Sequence, residues 1–64
     1  MRVRIASSTH YGTFDAELDA DTDPTDLFDE GSGKTARVIV FAEDGTEALL
    51  ILRKKNIEAV EVVE

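Results

Sequence analysis

There is no cysteine in the 64 residues, which excludes disulfides, thiolate catalysis and the cysteine-bearing structural zinc sites, and fits a reducing compartment. No apolar run reaches the roughly 20 residues needed to span a bilayer. Met1-Arg2-Val3-Arg4-Ile5 is followed by polar Ser7, Ser8 and Thr9 rather than an apolar stretch, so it does not read as a signal peptide. These absences predict a cytosolic protein of its host cell, with no membrane partner. Aromatic residues are scarce, three Phe, one Tyr and no Trp, and form no stacking cluster for nucleic-acid bases. A chain this short makes a single domain, 1–64, and buries only about 60% of the surface its unfolded form exposes. With disulfides and zinc excluded, a partner subunit is the remaining common source of added stability, and a homo-oligomer is expected.

Basic residues are missing from one place in particular. Eight of the fourteen acids (Asp15, Glu17, Asp19, Asp21, Asp23, Asp26, Asp29 and Glu30) lie between positions 15 and 30, where there is no Lys or Arg. The net charge of −7 is therefore −8 from this segment and +1 from the rest. A field so concentrated repels nucleic acid from one face and leaves a nearly neutral body to fold.

That body reads as short antiparallel strands. Arg2-Val3-Arg4-Ile5 and Thr13 to Ala20 alternate polar with apolar, the pattern of strands with one wet face. Thr9-His10-Tyr11-Gly12 between them is a turn. Asp44-Gly45 separates two apolar runs and predicts a tight two-residue hairpin turn joining strands at about 36–43 and 46–53. A second reading makes 47–55 a helix capped by Thr46. Ile57 to Val63 is rich in β-branched residues and reads as a fifth strand, reached through a short turn or 3₁₀ connection at Arg53-Lys54-Lys55-Asn56. In the acidic connection at about 20–34, Asp23 can cap a one- or two-turn helix with Pro24 at its first position, and Gly31-Ser32-Gly33 stops it. The expected fold is mainly β, small α+β: a five-stranded antiparallel SH3-like or Sm-like barrel in the order β-β-(short α)-β-β-β.

An opening strand, the Thr9-His10-Tyr11-Gly12-Thr13 turn, the acidic linker, the Gly-centred hairpin and the closing Asn56-Ile57-Glu58-Ala59-Val60 strand together resemble small acidic β-barrel-like proteins encoded by actinobacterial phages. The likeness spans most of the chain. Its motifs are turns and core positions, so the resemblance implies a fold and a phage context, not a chemistry; most such proteins have no assigned function.

Four local patterns invite a chemical reading. Asp19-x-Asp21-x-Asp23 with Glu30 at the twelfth position follows the acids of an EF-hand loop, but Pro24 stands where that loop needs Gly and flanking helices are missing; a solvated acidic loop or a loose cation site is the alternative. Gly31-Ser32-Gly33-Lys34-Thr35 matches only the end of a phosphate-binding loop and reads as a flexible connection. His10, the sole histidine, lies beside Ser7, Ser8 and Thr9 without the separated geometry a triad needs. Arg53, Lys54 and Lys55, with Arg37 or the N-terminal arginines, are possible anion contacts. No catalytic residue, metal or cofactor is assigned.

The predicted function is a non-enzymatic, homo-oligomeric protein-interaction module of phage origin that binds a host or phage protein through Asp21, Asp23, Asp26, Leu27, Phe28, Asp29 and Glu30. The 36–43 and 46–53 strands are apolar on both faces, and Val38, Val40, Leu50 and Leu52 are assigned to the subunit interface. Two alternatives are a DNA mimic, with carboxylates every second residue from Asp15 to Asp23 spaced by about 6–7 Å along one strand face, and a binder of small anionic ligands at a subunit interface.

Overall fold

The computed structural model describes residues 1–9 and 12–63. Five strands, β1 (Arg2–Ser7), β2 (Thr13–Glu17), β3 (Thr35–Phe41), β4 (Glu47–Arg53) and β5 (Ile57–Val62), form one antiparallel sheet in the order β4-β3-β2-β1-β5. The sheet is open, with β4 and β5 as its edges. Among the described residues there is no α-helix: the connection expected to hold one forms 3₁₀ turns at Pro24–Phe28 and Glu30–Ser32, and a third spans Lys54–Asn56. Two apolar anchors, Leu27 and Phe28, are too few for the stripe that a longer helix would need. No helix of the described residues is long and apolar enough to cross a membrane.

Alternation sorts the strands into an inner and an outer face. Val3 and Ile5 on β1, Ala16 on β2, Ala36 and Val38 on β3 and Leu52 on β4 are buried together with Leu18, Leu27 and Ile57, while Phe14, Val40, Leu50 and Val60 pack against them. Turn length makes the two sides of the hairpin agree. The Ala42 N–H donates to Thr46 O at 2.9 Å, so the loop is Glu43-Asp44-Gly45, three residues rather than the expected two. Gly45 takes φ +86° and, among the described residues, no non-glycine residue has positive φ, which excludes the two-residue type I′ turn and gives a turn closed by a left-handed glycine. Val38 then lies opposite Leu50, and Ala36 opposite Leu52. One residue of slip would send the β4 leucines to the other face.

The residues assigned from sequence to a subunit interface therefore line the core. Val38 (1% exposed) and Leu52 are interior, and Val40 and Leu50 are half-buried against the same core. Ile39, Phe41, Leu49 and Ile51 point the other way, and Leu49 and Ile51 are each 58% exposed. A run apolar on both faces contains no alternation to mark its inside.

A β-bulge keeps β5 in the core. Ala6 pairs with Ala59 and Ser7 with Ile57, which leaves Glu58 as the extra residue. The extra residue returns Ile57 to the inner face beside Val60, and Glu58 stays exposed. The pairing between β2 and β3 is the thinnest in the sheet, a single register pair, Glu17 with Ile39. The bonds between Leu18 and Met1, at 2.8 and 3.0 Å, continue the β1–β2 register by one pair, and the chain then turns at Ala20–Asp21, where the Thr22 N–H donates to Asp19 O at 3.0 Å, so β2 does not continue to Ala20.

Candidate functional site

The acidic block is two structures rather than one. Asp15 and Glu17 belong to β2, and on the outer face each lies opposite an arginine of β1, Arg4 and Arg2 respectively. Arg4 Nε donates to Asp15 Oδ1 at 3.0 Å, and Arg4 Nη1 lies 3.8 Å from Glu61 on β5. Glu17 takes the N-terminal ammonium at 3.2 Å and Arg2 at 3.8 Å. The hydrogen bond with Asp15, and then its charge, raise the Arg4 guanidinium above its ordinary value. These two acids are compensated by local pairing.

The other six, Asp19, Asp21, Asp23, Asp26, Asp29 and Glu30, lie in the connection from β2 to β3, and among the described residues none forms an ion pair. Two of them shape the backbone. Asp23 Oδ1 accepts from the Thr25 N–H at 3.0 Å and from the Thr25 hydroxyl at 2.9 Å, capping the first 3₁₀ turn as the sequence suggests. The N–H and then the hydroxyl hold the Asp23 carboxyl below its ordinary 3.8. Asp29 Oδ1 accepts from the Gly31 N–H at 3.0 Å and caps the second turn. Asp19, Asp21, Asp26 and Glu30 have exposed side chains.

Like-charge repulsion should loosen such a segment, and three contacts oppose it. Leu27 (4% exposed) inserts into the core. Lys54 follows β4 and is buried; its Nζ donates to Asp29 O at 2.8 Å and to Ser32 Oγ at 3.0 Å. Its backbone N–H donates to Lys34 O at 2.9 Å. A buried ammonium needs such acceptors, because an unpaired one costs several kcal/mol. The cation thus sits under the acidic connection and ties it to the end of β4.

This corrects two assignments. Leu27, expected to meet a partner, is a core residue, and the apolar side chain left beside the acids is Phe28, 48% exposed. Lys54, expected as an anion contact with Arg53 and Lys55, faces inward. Arg53 and Lys55 instead line a shallow depression of about 420 Å³ with Lys34, Thr35 and Glu30. Lys34, which the sequence placed only in a flexible Gly-Ser-Gly-Lys connection, joins them at the point where the chain returns to β3. Arg37 lies apart, in a second depression beside Glu17, Asp19 and Leu49.

The every-second-residue ladder of carboxylates does not form on one strand, since β2 ends at Glu17 and Asp15 is paired. No three Asp, Glu or His side chains among the described residues converge as metal ligands. Ser7 Oγ and Thr9 Oγ1 lie 2.7 Å apart and share a hydrogen bond. His10 and Tyr11 fall outside the described residues, as does the centre of the turn expected there; its flank is closed by the Ser7 N–H donating to Gly12 O at 2.9 Å, with Gly12 at φ +64°. Compared with known protein families, with curated proteins and with solved structures, the chain matches none.

Proposed function

We propose that the chain is a non-enzymatic, self-associating protein-interaction module whose acidic connection engages a basic surface on a host or phage protein. The observation that carries this reading is the anchoring of the connection. Six carboxylates without ion pairs sit on a segment fastened by Leu27 and Lys54, so the charges are presented by an ordered backbone and binding needs little further ordering. Phe28 adds an exposed ring that can accept an Arg or Lys over its face. The strand order, in which β5 returns beside β1, together with the full burial of Val3 and Ile5 under only short 3₁₀ turns, supports an SH3-like or Sm-like sheet curled toward a barrel.

Of the two alternatives, small-anion binding has the Lys34–Arg53–Lys55 depression in its favour and Glu30 against it. The nucleic-acid mimic lacks its single-strand ladder. Affinity capture from an actinobacterial lysate, analysed by mass spectrometry, separates these readings. The parent should retain a basic protein that elutes with salt, since exposed charges are screened beyond about 8–10 Å at physiological ionic strength. A variant carrying Asp21→Asn, Asp26→Asn and Glu30→Gln keeps both capping aspartates and should retain none. Equal retention by parent and variant overturns the reading. Retention of a nucleic-acid-binding protein through its cleft would favour the mimic.

A further inference from the structure

The hydrogen-bonding pattern of the hairpin fixes which backbone groups of β4 are unused. In an antiparallel ladder, successive residues turn their N–H and C=O alternately toward and away from the partner strand. Ala42 N–H to Thr46 O and Lys54 N–H to Lys34 O bracket the β3–β4 ladder at even-numbered β4 positions. Ala48, Leu50 and Leu52 therefore bond to β3. Glu47, Leu49, Ile51 and Arg53 turn their N–H and C=O outward, along the free edge of the sheet. Their side chains share the outer face, where Leu49 and Ile51 are the most exposed large apolar residues of the described chain.

The edge sequence Glu47-Ala48-Leu49-Leu50-Ile51-Leu52-Arg53 is complementary to itself when reversed. It carries an acid at one end, a base at the other and only apolar residues between. We propose that β4 pairs antiparallel with β4 of a second copy, with the two-fold axis at Leu50. This deepens the self-association proposed above and rests on it. In this register Leu49 meets Ile51 of the other copy as a hydrogen-bonded pair, and Glu47 meets Arg53 at both ends. Leu50 meets its own symmetry mate at the close, non-hydrogen-bonded spacing of about 4.5 Å between Cα atoms. Every outward backbone group from 47 to 53 gains a partner, and each charged end gains an opposite charge. Shifting the dyad to Leu49 places Glu47 opposite Ile51, and shifting it to Ile51 places Glu47 opposite Lys55, which lies past β4 in the Lys54–Asn56 3₁₀ turn, so neither joins the two charged ends within the strand. The charge pairs therefore select the Leu50 register. A long apolar edge without a central charge is otherwise an open template for uncontrolled pairing, and an isologous dimer closes it.

The test is sedimentation equilibrium of the full chain across micromolar concentrations, with circular dichroism to check folding. The expected result is a reversible dimer of twice the 7.0 kDa chain mass. Leu49→Lys places a charge in the middle of the edge without removing a bond to β3, and should give a folded monomer. Arg53→Glu and Glu47→Arg each bring like charges together at both ends and should weaken the dimer about tenfold or more. The double variant should recover to within about threefold of the parent. Amide exchange adds a register-specific readout: the amides of Leu49 and Ile51 should gain protection with concentration, while those of Ala48, Leu50 and Leu52 are protected throughout. A monomeric parent overturns both this proposal and the self-association it refines. A dimer that survives Leu49→Lys, or a double variant as weak as the single ones, overturns the β4 edge alone and leaves self-association standing.

Discussion

The two edges of the sheet are built on opposite plans. β5 carries Glu58 at its bulge and Glu61 in an ion pair with Arg4, and both devices discourage another strand from adding to it. β4 has neither, and its five central residues are all apolar. The same division runs across the outer face. On β2, β1 and β5 it is laced by Arg2, Arg4, Asp15, Glu17 and Glu61, whereas on β3 and β4 it presents Ile39, Phe41, Leu49 and Ile51, with Arg37, Glu47 and Arg53 around them. One end of the molecule carries paired charges on its outer face, and the other leaves large apolar side chains exposed there.

The largest effect expected from breaking this division comes from exchanging inside for outside on one strand. Val38→Asp buries an unpaired carboxylate and should abolish folding in a domain whose whole stability is about 3–10 kcal/mol by the usual scale per residue. Ile39→Asp, one residue along, should leave a folded protein, and urea titration of the pair decides whether the face assignment holds. Next in size is Leu27→Ala, which removes the core anchor of the acidic connection and should cost about 2–5 kcal/mol. Lys54→Met keeps the buried stem and removes the ammonium; losing its charged hydrogen bonds should cost about 1.5–3 kcal/mol and raise protease sensitivity between positions 18 and 34.

Making the β5 edge resemble the β4 edge sharpens the contrast further. Glu58→Val with Glu61→Val should give a chain whose average mass rises past the dimer with concentration, because both edges then accept strands. A mass that stays at that of the parent would mean the bulge protects β5 without its charges. The smallest effect concerns two aspartates that accept from a nearby threonine, Asp23 in the acidic connection and Asp44 in the hairpin loop. Asp44 accepts from the Thr46 side chain and N–H, which hold its carboxyl below the ordinary 3.8, as the Thr25 bonds do for Asp23. A pKa lowered by folding contributes stability that is present above 3.8 and is lost as pH falls through the folded value. Relative to the parent, Asp23→Asn and Asp44→Asn should thus be slightly less stable at neutral pH, with the gap closing as the solution is acidified below 3.8.

How much of this was legible in the sequence varied with how local the signal was. Alternation at Arg2 to Ile5 and Thr13 to Glu17 revealed both strand and face, because one face is wet. The Asp44-Gly45 pair announced the hairpin, but not whether Glu43 joins the loop, and that one residue decides how β4 faces β3. The apolar runs at 38–42 and 48–52 offered no contrast between faces, so Val38, Val40, Leu50 and Leu52, expected at an interface, turned out to face the core. The bulge at Glu58 is a property of the pairing with β1 and leaves no mark on β5 alone. Lys54 was unreadable for another reason: lysines are almost never buried unless paired, and its acceptors lie 25 and 22 residues away.

The single pair joining β2 to β3 bears on how the chain acquires this structure. The β3–β4 hairpin is contiguous in sequence, while β1 and β5 unite positions as distant as Val3 and Val62. A hairpin closes in about 1–10 μs, whereas contacts between chain ends must first overcome the entropy of a long loop. With almost no ladder between them, the two halves assemble mainly through side chains. A substitution that strains the hairpin turn, such as Gly45→Ala at φ +86°, should then slow folding. One in β5, such as Val60→Ala, should chiefly speed unfolding, so that opposite arms of the chevron are governed by opposite ends of the sheet.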